Sequence, residues 1–195
     1  MENILVKTAS FALSVLEHYI RPGDCVVDAT IGNGNDTLKL CQLVGETGKV
    51  YGFDIQEKAL KNTASLLQKN GWNNAVLLHV SHAAISEFIK EKIQAAVFNL
   101  GYLPGGDHSV TTCTDETKKA ILSCLKLLNK DGVLAIVFYP GHPAGAEEKS
   151  QLLPWASGLN AGCFHCVHTE MINQSQTAPS VLFITKKKEG SDVEA

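Results

Sequence analysis

The chain contains no uninterrupted apolar run near the roughly 20 residues that cross a bilayer. Its opening stretch, Met1-Glu2-Asn3-Ile4-Leu5-Val6-Lys7, shows no basic segment leading into an apolar core and cleavage site, so no secretory leader is expected there. A soluble cytoplasmic protein is the simplest expectation. No Pro/Ser-rich linker divides the 195 residues, which predicts one domain over residues 1–188 and a disordered tail over 189–195. A basic surplus is missing as well. With 17 Lys and Arg against 20 Asp and Glu, the formal charge is −3, which excludes a chain that is basic throughout. A local patch can still meet phosphates, and Lys186-Lys187-Lys188 is either such a patch or a solvated chain end. Of six cysteines only Cys163 and Cys166 are closely spaced, and no second C-x-x-C exists to complete a tetrahedral zinc site. Packed thiols and no metal are expected.

What is present centres on Cys25-Val26-Val27-Asp28-Ala29-Thr30-Ile31-Gly32-Asn33-Gly34-Asn35-Asp36-Thr37. This apolar run ends in an acid, passes a glycine-bearing turn and opens a helical pattern through Leu38, Leu40 and Leu43. Gly32 and Gly34 allow torsions and a close ligand approach that a Cβ obstructs, while Asn33, Asn35, Asp36 and Thr37 offer polar side chains at the helix start. The next strand-like run, Lys49-Val50-Tyr51-Gly52-Phe53-Asp54, ends in a second acid, placed to accept both hydroxyl protons of a ribose. A nucleoside ligand follows. A dinucleotide fingerprint needs a third glycine where Thr37 stands, so a pyrophosphate cofactor fits poorly. Asp28 suits a ligand with a cationic amino-acid tail, which S-adenosylmethionine has. The arrangement Asp28-x-x-x-Gly32-x-Gly34 followed by Asp54 resembles motifs I and II of class I methyltransferases, with Thr30 where many members have a first glycine.

Around this unit, apolar spacing predicts helices over 8–20, 56–70, 84–89, 115–128 and from 147 onward, the last broken at Pro154. Strands are expected over 75–80, 93–98 and 133–138, the last entered through a Lys130-Asp131-Gly132 turn. Two further runs, 164–172 and 180–185, look like a closing antiparallel pair. The expected fold is therefore α/β: a Rossmann-like class I methyltransferase, with a seven-stranded, mostly parallel sheet closed by an antiparallel strand pair and helices on both faces. Gln56, two residues past Asp54, can contact the nucleoside or cap its helix. Ser81 and His82 follow the third strand, where a base can be read or stacked upon.

The second informative stretch is Asn99-Leu100-Gly101-Tyr102-Leu103-Pro104-Gly105-Gly106-Asp107-His108. Amino-directed methyltransferases end their fourth strand in Asn/Asp-Pro-Pro-Tyr/Phe. Asn99-Leu100-Gly101-Tyr102 keeps the outer two residues and loses both prolines, a turn that suits an amine outside a planar base. A third stretch, Tyr139-Pro140-Gly141-His142-Pro143, ends the following strand. Together with residues 28–37, these resemble a small bacterial family that carries the label rRNA methylase. Its members are assigned as tRNA 5-aminomethyl-2-thiouridine methyltransferases acting on the wobble uridine. The resemblance covers residues 1–188. It implies S-adenosylmethionine as donor, held by Asp28, Thr30, Gly32, Asn33, Gly34, Asn35, Asp36, Thr37, Asp54, Gln56, Ser81, His82 and Asn99. It also implies a tRNA anticodon region as partner, with a homodimer expected from size and charge. In the catalytic set, Asn99 orients the amine, Tyr102 packs on the uridine, and Asp107, His108 or His142 takes the amine's proton, His142 first because two prolines and two glycines fix its loop. The alternatives are an rRNA methyltransferase of the same fold, a nicotinamide oxidoreductase, which Thr37 and the closing strand pair disfavour, and a binding module without catalysis.

Overall fold

A computed structural model describes residues 4–101 and 111–188. Tyr102, Asp107, His108 and the 189–195 tail therefore lie outside the described residues. After a 3-10 turn at Ile4–Val6 come α1 (Thr8–Leu16), β1 (Cys25–Asp28), α2 (Asn35–Val44), β2 (Lys49–Asp54), α3 (Glu57–Lys69) and β3 (Ala75–His79). A short 3-10 turn (His82–Ala84) and α4 (Ile85–Phe88) lead to β4 (Ile93–Asn99), α5 (Thr114–Leu127), β5 (Leu128–Phe138), α6 (Pro143–Ser157), β6 (Phe164–Thr169) and β7 (Ser180–Lys186).

The seven strands form one sheet in the order β3-β2-β1-β4-β5-β7-β6. Pairing is parallel from β3 through β5, and β7 then runs antiparallel to both β5 and β6. This is the expected class I methyltransferase sheet. Because successive side chains of a strand face opposite ways, Val26 joins one core with Leu16, Leu40 and Val50, while Val27 joins the other with Phe98, Ile121 and Leu152. Helices cover both faces, and the carboxyl ends of β1, β2, β4 and β5 open on one edge.

Several local expectations are corrected. The first helix stops at Leu16, short of Ile20. Helix α6 runs through Pro154 to Ser157, because a proline in the last turn forfeits one intrahelical N–H bond without losing the apolar face already formed. Lys130-Asp131-Gly132 does not precede its strand but lies inside β5. There the pairing with β4 shifts register between Ile93↔Leu128 and Ala95↔Val133, and Asp131 adopts a left-handed φ of 61°. Strand β6 ends at Thr169 rather than at Ile172. Lys186 is neither an exposed patch nor a solvated tail. It is buried, and its Nζ donates to the Leu125 and Leu128 carbonyls at the end of α5, where a cation complements the helix dipole.

Gly34 also differs from expectation. It caps α2 with φ 80°, and a Cβ there would overlap the Thr63 side chain of α3. Its bareness serves helix packing, the task of the third glycine in a dinucleotide fingerprint. Gly34→Ala should destabilise the fold by about 2 kcal/mol or more through strained φ and overpacking, measured by urea unfolding. Adding Thr63→Ala should recover only part of the loss, since the backbone strain remains.

Candidate active site

A cavity of about 590 Å³ sits at the carboxyl edge of the sheet, a volume suited to a nucleoside-sized ligand. Its floor is built from β1. Asp28 ends that strand fully buried, accepting the Thr37 hydroxyl at 2.6 Å on one oxygen and the Thr30 N–H at 3.2 Å on the other. Burial and the neighbouring Asp36 push its carboxyl up to about 7, against the pull of those two bonds. Neither Asp28 nor Thr37 lines the cavity. Asp28 was expected to reach a cationic tail directly or through water; it sits behind the wall, and Asp36, Asn33 and Asn35 are polar groups of this loop that line the cavity.

Thr30 carries the connection across to β4, its Oγ1 accepting the Asn99 N–H at 2.7 Å. The Asn99 side chain then donates Nδ2 to Asp36 Oδ2 at 2.8 Å. That bond fixes which way the amide points. Its Oδ1 is buried and accepts no hydrogen bond among the described residues, so an acceptor oxygen is held ready for an N–H donor.

At the β2 end, Asp54 accepts the Gly32 N–H on Oδ2 and the Gln56 N–H on Oδ1, both at 2.9 Å. Gly32 takes φ 55° to bring its N–H there. The carboxylate is thereby locked in orientation on the cavity wall with lone pairs to spare. Gln56, Ser81 and His82 line the same wall, but their neighbours limit them. Ser81 donates to Glu116 at 2.7 Å and accepts from Ala83. His82 donates Nδ1–H to the Ala29 carbonyl at 3.2 Å and stands edge-on to Phe98. Burial holds its pKa below the usual histidine range. Sequence reasoning expected these two to read or stack on a base; both line the cavity, and their hydrogen bonds brace its wall.

The β4–β5 side of the cavity is organised by α6. His142 caps the helix, its Nδ1 accepting the Gly145 N–H at 3.2 Å. With Nδ1 an acceptor, the neutral ring carries its proton on Nε2 and offers a donor there. This tautomer does not suit the base role expected of His142. One helical stretch further on, buried Glu148 accepts the Thr112 hydroxyl at 2.7 Å and the Thr117 hydroxyl at 2.8 Å. Thr112 in turn accepts the Gly101 N–H and donates its own N–H to the Gly101 carbonyl, so the chain on either side of residues 102–110 is clasped to α6. Tyr139 faces the cavity, its hydroxyl pushed up to about 12 by burial and by Asp36. Sequence reasoning passed over Tyr139 although it follows a strand end just as Asn99 does. Glu148 gave no signal, being one acid in a helical Glu147-Glu148-Lys149 run.

Residues 50–185 match the family model described as "Putative rRNA methylase". The chain belongs to this family. A tRNA (mnm(5)s(2)U34)-methyltransferase of Arabidopsis thaliana, chloroplastic, is 36% identical over 193 residues, covering 93% of this chain and 70% of the relative. A Clostridium thermocellum structure bearing the family's description superposes with a TM-score of 0.89 at 37% identity, covering 95% of this chain and 98% of the other. A methyltransferase-like structure from Streptococcus mutans, solved in complex with SAH, has a TM-score of 0.84 at 34% identity, with 95% and 99% covered. The protein is an S-adenosylmethionine-dependent methyltransferase, and the nicotinamide alternative falls away. Among the described residues no helix is long and apolar enough to cross a membrane, and no cluster of His, Cys, Asp and Glu could hold a metal.

Asp54→Ala should weaken S-adenosylhomocysteine binding at least about tenfold, as expected for loss of charge-assisted bonds, read by titration calorimetry with an unchanged melting temperature excluding misfolding. The Asp28 carboxyl, raised in the folded state, binds protons the unfolded chain releases, so its contribution to stability is present below about pH 4 and lost as pH rises through about 7. Asp28→Asn should flatten that part of the stability profile, measured by denaturant unfolding across the range.

Proposed function

We propose that the protein methylates RNA, and that its acceptor is the nitrogen of the 5-aminomethyl group of a 2-thiouridine at the tRNA wobble position. The observation that carries this reading is the Asn99 amide. Its Nδ2 is committed to Asp36, its buried Oδ1 accepts no hydrogen bond among the described residues, and the residue lines the cavity, which leaves an acceptor for an amine's N–H. The name of the Arabidopsis relative supports the same acceptor. In this reading Asp54 holds the donor's ribose, and Asn33 and Asn35 flank its amino-acid tail. Tyr102 stacks on the uridine. Methyl transfer is an in-line displacement at a sulfonium carbon, so the enzyme's task is to align a neutral nitrogen with that carbon. Asn99 does this by hydrogen bonding one N–H while the lone pair faces the methyl group. The same reading places the protein in the cytoplasm with its tRNA.

Nucleoside mass spectrometry of bulk tRNA from cells with and without the gene tests the acceptor. Loss of methylaminomethyl-thiouridine with accumulation of its aminomethyl precursor is the expected result. An unchanged tRNA profile with a missing methyl group in rRNA would overturn it in favour of the family's older label. Asn99→Ala should lower single-turnover transfer about a hundredfold with donor affinity nearly intact; near-normal transfer would remove Asn99 from the orienting role.

A further inference from the structure

An aliphatic amine poses a problem that a base's exocyclic amine does not. It is protonated at neutral pH, with a pKa near that of lysine, about 10.4. Roughly one molecule in a thousand then carries the lone pair that attack needs. The site must contain a group that takes the proton where the nitrogen is held, and that group has to reach the atom Asn99 orients.

The described residues leave few candidates. His142 is held with Nδ1 as an acceptor for the α6 cap, which puts its proton on Nε2. Asp54 has an N–H on each oxygen and sits at the end of β2. Glu116 is taken by Ser81. Asp28 is behind the wall. Asp36 alone among these both faces the cavity and touches Asn99, receiving its Nδ2 at 2.8 Å.

Resting on the aminomethyl reading above, we propose that Asp36 is the proton acceptor of the reaction and the residue that makes the site selective for an aliphatic ammonium. The incoming R–CH2–NH3⁺ is drawn to the Asp36 carboxylate and gives it one proton. The neutral nitrogen, one remaining N–H bonded to Asn99 Oδ1, forms a bond to the methyl carbon as the carbon–sulfur bond breaks. The electron pair of that bond stays on sulfur. The product leaves as a secondary ammonium, and Asp36 returns its proton to solvent. One proton is released per methyl transferred. No further reactant is needed.

The surroundings fit this role. Burial raises the Asp36 carboxyl above the ordinary carboxylate range, opposed by the Asn99 bond, which moves it toward a useful proton acceptor. Asp28 from β1 and Tyr139 from β5 are titratable neighbours whose own values Asp36 raises; Asp54 and His142 line the same cavity. A protonated Tyr139 leaves Asp36 an anion available to a cationic substrate.

The test is single-turnover methyl transfer to tRNA carrying aminomethyl-thiouridine, from pH 6.5 to 9.5, by wild type and Asp36→Asn, which keeps an acceptor for Asn99. Expected is a loss of about a hundredfold or more at pH 7 that shrinks about tenfold per pH unit as the free amine forms in solution, with S-adenosylhomocysteine affinity within threefold of wild type. A deficit that ignores pH, or an equal fall in S-adenosylhomocysteine affinity, would overturn the proposal and make Asp36 a donor-binding residue. If Asp36→Asn shows no melting transition, Asp36→Ala is assayed with added formate, where rescue supports the role and its absence sinks it. A wild-type protein that leaves this tRNA unmethylated at every pH overturns the acceptor reading itself, a result distinct from the others.

Discussion

The site depends on one buried carboxylate. Among the described residues no cation contributes to Asp28, so the cost of burial is offset by donors supplied by its own loop, the Thr30 N–H and the Thr37 hydroxyl. Satisfying Asp28 therefore dictates the path from β1 into α2. Thr30, once placed, presents its hydroxyl to the Asn99 N–H and fixes the end of β4. Asn99 then reaches back to Asp36 on α2. The circuit from β1 to β4 and back closes entirely through hydrogen bonds, and it lies where the strand order departs from sequence order, with β1 between β2 and β4. Open α/β sheets bind ligands at such a switch point.

The two ends of the cavity are made differently. At the β2 end the positioning groups are backbone N–H donors, Gly32 and Gln56 on Asp54, which need no side-chain ordering and hold one geometry. At the β4–β5 end, which the proposed function gives to the acceptor, the positioning groups are side chains: Glu148 with its two threonines, His142 at the helix cap, Asn99 and Tyr139. A nucleoside donor presents the same shape to related enzymes, whereas an acceptor must be recognised by chemistry particular to it. Rigid backbone suits the first demand and adjustable side-chain combinations the second.

Much of this was legible in the sequence for physical reasons. Buried parallel strands read as continuous apolar runs, and the acids that end β1 and β2 break those runs where the chain meets solvent or ligand, so Asp28, Asp54 and Asn99 stood out. What the sequence hid was direction. A pattern shows that Asp28 ends a strand but not that its carboxylate turns inward to Thr37, nor that Gly34 faces Thr63 and not a ligand. Glu148 was invisible because burial of one acid on an amphipathic helix depends on hydroxyls 31 and 36 residues away. Lys186 was misread for the same reason: its partners are the carbonyls of Leu125 in α5 and Leu128 at the start of β5, and a run of three lysines says nothing of which one points inward. The tetrapeptide after β4 was correctly placed, but Tyr102, Asp107 and His108 lie beyond the described residues.

Three carboxylates, Asp28, Asp36 and Asp54, converge on this edge, while described ion pairs such as Lys39–Glu17 and Lys49–Glu91 lie elsewhere. Burial and mutual repulsion raise Asp28, and Asp36 contributes to that rise, so a cationic ligand at this edge would relieve the repulsion among these acids. S-adenosylmethionine brings a sulfonium and an ammonium, and the aminomethyl acceptor proposed above would bring a second ammonium. After transfer the sulfonium is gone, the thioether product is less positive, and its attraction to the acidic wall weakens. An acidic cavity thus binds substrates more tightly than the spent donor. That bias follows from charge alone, and it gives a physical reason for a methyltransferase with an RNA substrate to be acidic at its centre.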